Sequence, residues 1–138
     1  MLELSKAIYT LSVGSAFTSY IGNRFFKARV PTGTIYPNAC YFIVTDNPDR
    51  SFTEYYSHVE VQFSIFSDDL NSSTQVETAY GHLATLYDDC EFTMTSSTLV
   101  WFRLLDTVGA QVEDWITPNG TQEIFVIHST FEVLTSLK

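Results

Sequence analysis

Apolar positions recur along this chain with two periods, and each change of period marks a change of element. Leu4, Ala7, Ile8 and Leu11 repeat at helical spacing, which predicts an amphipathic helix over residues 3–13 that stops at Gly14. Residues 22–38, GNRFFKARVPTGTIYPN, are broken up by glycine and proline and read as an extended connection. Residues 39–45, ACYFIVT, are aromatic and β-branched, and their near-continuous apolarity predicts a strand buried on both faces. DNPDRS after it reads as a turn or loop. In residues 58–66, Val59, Val61, Phe63 and Ile65 alternate with His58, Glu60, Gln62 and Ser64. This clearest of the strands should pair antiparallel with 39–45 across a long hairpin.

After Phe66 the period lengthens from two to 3.6. Val76, Tyr80, Leu83 and Tyr87 form one stripe, widened by Ala79 and Leu86, and predict a helix from about residue 73 to about residue 88. Ser72 to Gln75 and Thr74 to Glu77 both have capping-box spacing at its start. Residues 99–105 and 123–135 read as two further strands, the second placing Phe125, Ile127, Phe131 and Val133 on one face, with a turn at Pro118-Asn119-Gly120 between them. The order α-β-β-α-β-β predicts an α+β fold: an antiparallel or mixed sheet of about four strands with two helices packed on one face. No repeat or composition break divides the chain, so residues 1–138 are read as a single domain.

Composition agrees with a packed core. Apolar residues make up 45% of the 138 residues and charged residues 17%, which excludes disorder and leaves many aromatic rings to place. The chain lacks a membrane-length apolar run and a basic-then-apolar start, so it is expected to be neither secreted nor membrane-bound. Cys40 and Cys90 lack CxxC spacing and are expected to be free, buried thiols. Charge is unevenly distributed. Residues 1–50 carry five basic and three acidic groups, whereas residues 51–137 carry one basic and thirteen acidic, and the whole chain has net charge -9. Such a surface disfavours gripping nucleic acid through a basic patch.

Catalytic motifs are missing from the sequence: there is no GxSxG, HExxH, P-loop or GxGxxG. His58, His82 and His128 fall on separate elements without an i, i+4 pair, so neither a metal site nor another cofactor is expected. DNPDRSFTE has the carboxylates of a calcium loop but not its length or its central glycine.

Three stretches carry a family resemblance: YIGNRFFKARVPTGTIYPNACYFIV, VEVQFSIFSDDLNSSTQVETAYGHL and EIFVIHSTFEVL. A Gly-x-Arg with an aromatic pair follows the first helix, a proline precedes the first strand, and a strand of the type V-x-V/F-x-I/F runs into an alanine-containing helix. In these features the chain resembles the tail completion or tail terminator family of long-tailed bacteriophages and related tail-like particles. The segments 46–57 and 106–122 are longer and more aromatic than a minimal member would need. The resemblance implies a non-enzymatic subunit, assembled in the host cytoplasm, that forms a homo-oligomeric ring, usually a hexamer. That ring would sit at the head–tail junction of the virion, on the tail tube protein and facing the head-side connector or adaptor protein. DNA would meet it only in transit, without specific binding.

Two sets of residues follow from that expectation. Asp68, Asp69, Asp88, Asp89 and Glu91 flank the second helix and are candidates for an acidic channel lining, since a static channel that held phosphates would retard them; each also reads as a plain solvated carboxylate. Arg24, Lys27, Arg29 and Arg50, with the aromatics Phe52, Tyr55, Tyr56 and Trp115, are candidates for contacts with a neighbouring subunit or the tube. The rival readings are a head-completion or connector-adaptor subunit and, from another class, a small intracellular ligand-binding or hydrolytic domain with Asp or His in a cleft.

Overall fold

The computed structural model describes residues 2–51 and 53–137, and Phe52, one of the interface candidates, lies outside them. The chain runs α1 (Leu2–Ser12), α2 (Ala16–Tyr20), β1 (Phe25–Lys27), β2 (Asn38–Arg50), β3 (Tyr55–Ser67), α3 (Thr74–Tyr87), β4 (Ser97–Thr117) and β5 (Gly120–Leu137). The strands make one sheet in the order β1-β2-β3-β5-β4, antiparallel except that β1 runs parallel to β2. The fold is α+β, as the patterning implies, but the sheet is five-stranded and mixed and there are three helices, where the sequence predicts about four strands and two helices.

Each difference has a local cause. With three residues, β1 is too short to show alternation, and it hides in the segment read as an irregular connection. With five, α2 shows no periodic stripe; Ser15 starts it by accepting a hydrogen bond from the Thr18 N–H at 3.2 Å. DNPDR is not a loop but the end of β2, which bonds there to β3 alone. Pro48 is tolerated because its missing donor falls on the unpaired outer side. The last two strands run well beyond residues 99–105 and 123–135, because β4 is an edge strand whose far half is largely exposed and mixes polar residues with exposed Val108, Val112 and Ile116, so burial enforces no alternation there. At α3 neither capping box forms. Ser73 occupies the N-cap without a side-chain bond, Ser72 Oγ accepts from the Thr74 N–H at 3.1 Å, and Gln75 takes the Ser67 hydroxyl instead.

Strand alternation sorts the side chains into two layers. Tyr41, Val61, Phe63, Ile65, Phe102, Ile127, Phe131 and Val133 pack on one face against Leu4 and Ile8 of α1, Phe17 of α2 and Val76, Ala79, Leu83 and Tyr87 of α3. Phe63 is central. Its ring lies 4.7 Å from Tyr87, 5.2 Å from Phe131, 6.0 Å from Tyr41 and 6.2 Å from Phe25. Two buried phenols bind α1 into this layer: Tyr41 donates to the Ser5 carbonyl at 2.8 Å and Tyr87 to the Ile8 carbonyl at 2.7 Å. Among the described residues no helix covers the opposite face.

Candidate functional site

The uncovered face is not bare. At one end Cys40, Phe66, Ile124 and Val126 form a second small core, roofed by Val30, Tyr36 and Trp115. Trp115 meets Phe66 edge-on at 5.0 Å and donates its indole N–H to Glu113 at 3.3 Å. It therefore folds onto its own sheet and is not a projecting interface aromatic. Tyr55 and Tyr56 are the first residues of β3 and are half-buried. Arg50 lies 4.8 Å over the Tyr55 ring, and Tyr56 donates to Glu54, a bond that raises the phenol's pKa, with burial and the carboxylate's charge adding to it.

The basic candidates separate. Arg24 donates to the Pro37 carbonyl at 2.9 Å and to the Tyr36 carbonyl at 3.4 Å, fixing the loop that precedes β2. Its guanidinium lies across Gly22, where a Cβ would come within 2.5 Å of Nη1; the φ of +64° there also suits glycine. Lys27 and Arg29 are exposed and make no ion pair among the described residues. Arg103, the single basic residue between 51 and 137, stacks 4.2 Å over Trp101 and bonds to Glu132 at 3.1 Å.

The acidic candidates lie at opposite ends of α3, about 20 Å apart at 1.5 Å per residue. Asp68 is exposed and Asp69 half-buried, the latter accepting from the Asn71 N–H at 3.2 Å. Asp88 and Asp89 do something the sequence does not show. Asp88 Oδ1 accepts from the Leu104 N–H at 3.0 Å, and the Asp89 N–H donates to the Phe102 carbonyl at 2.8 Å, so the pair seals the inner part of the β4 edge. Glu91 is exposed. Both cysteines are free, Cys40 buried as expected but Cys90 only half-buried, and desolvation pushes Cys40 up to about 11 and Cys90 up to about 12.

One side-chain relay escaped the sequence reading. Ser64 Oγ lies 2.7 Å from His128 Nδ1, and His128 Nε2 lies 3.4 Å from Glu113 Oε1. Only the pairing of Ser64 with His128 across β3 and β5 reveals it. Serine, histidine and carboxylate in series suggest nucleophilic catalysis, but a nucleophile must be reachable and needs free N–H groups to hold an oxyanion. Ser64 is 3% exposed and sits mid-strand between β2 and β5, where ladder bonding engages the backbone amides. The relay fixes the packing of the uncovered face. No three His, Cys, Asp or Glu side chains converge to hold a metal ion among the described residues.

The sequence matches no protein-family profile and no curated protein. Its fold does have a counterpart among solved structures: 97% of the chain superposes on 95% of a chain from the "Virion of native gene transfer agent (GTA) particle", with a TM-score of 0.70 and 13% identity. At that identity the likeness is one of fold.

Proposed function

We propose that this chain is a structural protein of a phage-like virion, one that closes into a ring of about six copies, caps the tail tube and joins it to the head-side connector around a passage for DNA. The observation that carries this reading is the superposition of nearly the whole chain on a chain of a gene transfer agent virion. The sequence features shared with tail terminators favour the ring and its position at the tail end. On the uncovered sheet face the Ser64 hydroxyl beside His128 is buried, which favours a structural role over a hydrolytic one. Among the channel-lining candidates, the carboxylates of Asp68, Asp69, Asp89 and Glu91 remain available to repel passing phosphates, whereas that of Asp88 is engaged at the β4 edge.

Negative-stain imaging and sedimentation of the purified chain, alone and with tail tubes, test the proposal. Rings of about six chains seated at one end of the tube are expected. A solitary monomer that ignores tubes would overturn it, and rings that seat on isolated connectors but not on tubes would favour an adaptor subunit instead.

A further inference from the structure

The two lateral sides of the sheet carry opposite charge. Lys27 and Arg29 are exposed on the β1 side; Asp106 and Asp114 are exposed on the β4 side, and none of the four has an ion-pair partner among the described residues. Both sides also end the strand order: β1 pairs only with β2 and β4 only with β5, although Asp88 and Asp89 occupy β4 at Leu104 and Phe102 and the Arg29 N–H occupies the Lys27 carbonyl at 2.9 Å. Unpaired edges invite another strand.

Register sets the two sides level. Lys27 stands opposite Tyr41, Tyr41 opposite Phe63, Phe63 opposite Ser129, and Ser129 opposite Thr107. One row therefore crosses the sheet from Lys27 to the neighbour of Asp106. Strand direction fits as well. β1, β2 and β5 run one way and β3 and β4 the other, so a copy placed beside another in the same orientation lays β4 antiparallel against β1. Since Asp88 and Asp89 already seal β4 at Phe102 and Leu104, its open stretch begins just beyond, at the level of Lys27.

We infer that β4 beyond Leu104 docks along the β1 side of a second copy, with Asp106 at the level of Lys27 and Arg29 and Asp114 about 20 Å further along, beyond Phe25, joining copies head to tail. Such a contact between two different surfaces is the kind that closes into a ring. The inference rests on the ring reading above and adds which surfaces meet. It also gives the uneven charge of the sequence a spatial meaning: the basic first third and the acidic remainder become complementary flanks.

The test uses two full-length variants, Asp106→Lys with Asp114→Lys, and Lys27→Glu with Arg29→Glu. Each alone places like charges at every junction; an equal mixture places opposite charges at every junction of an alternating ring. Circular dichroism should show both folded, since all four side chains are exposed. Sedimentation should show each variant losing about tenfold or more of its assembled fraction, and the mixture recovering the wild-type level. If either variant alone assembles as wild type does, or if the mixture fails to recover, these surfaces do not meet and the inference falls while the ring reading stands. A wild-type chain that stays monomeric with and without tubes removes both.

Discussion

Phe63 lies where β2, β3, β5 and α3 all contribute a ring, so its removal opens a cavity that no single neighbour can fill. Phe63→Ala should cost about 3–5 kcal/mol, read as a lower urea midpoint at unchanged slope; a loss below about 1 kcal/mol would mean the layer relaxes freely. The free thiols make a different prediction. Burial raises Cys40 to about 11 and Cys90 to about 12 from an ordinary 9.0, with Asp88 and Asp89 adding to Cys90, and Tyr41 is likewise raised to about 12. The folded chain thus keeps these protons to higher pH than the unfolded chain. Their contribution is complete below the unfolded values and is lost as pH rises from about 9 through the folded ones. Melting temperature should fall steadily between about pH 8.5 and about pH 11, and Cys40→Ala with Cys90→Ala should flatten that fall. A slope equal to that of wild type would show that the thiols take no part.

At the scale of elements, the instructive strand is β4, which is 21 residues long and bonded on one side only. Its inner edge is protected by a carboxylate rather than by another strand. Asp88→Ala leaves the Leu104 N–H without its acceptor and should cost about 1 kcal/mol, with faster hydrogen exchange at that amide; Asp88→Asn, which keeps an acceptor oxygen, should lose less. Equal exchange in all three chains would mean that the bond protects nothing. This edge also marks how far the sequence could be read. Elements with one buried face announced themselves: α1, α3 and the middle of β2, β3 and β5 follow from Leu4 and Ile8, Val76 and Leu83, and Val61 and Phe63, because burial enforces a period. Elements without that constraint did not. β1 and α2 are too short to repeat a period, the outer half of β2 keeps polar residues on both faces, and that of β4 mixes polar residues with exposed Val108, Val112 and Ile116. Site residues fared the same way. That Lys27 and Arg29 are exposed charges was legible, whereas the engagement of Arg24 with Tyr36 and Pro37, of Trp115 with Phe66, and of Asp88 with Leu104 depends on residues 12 to 49 positions away, brought close only by the fold.

At the scale of the whole molecule, two electrostatic effects oppose each other, and ionic strength decides between them. Every copy carries net charge -9, so like chains repel; complementary flanks at Lys27 and Asp106 attract, but only in contact. A chain of this length has a radius of gyration of about 14 Å, which puts the centres of touching copies about 30 Å apart. At about 0.01 M salt the Debye length is also about 30 Å, so net repulsion spans the whole pair; at about 0.15 M it shrinks to about 8 Å, and repulsion between centres fades while contacts near 4 Å survive. At about 1 M the screening length of about 3 Å reaches those contacts too. The assembled fraction, followed by sedimentation velocity, should therefore rise and then fall as salt increases through this range. A curve that only rises would assign the contact to exposed apolar residues of β4 such as Val108 and Val112, whose burial salt does not weaken. A curve that only falls would show that the paired flanks outweigh net charge even at long range.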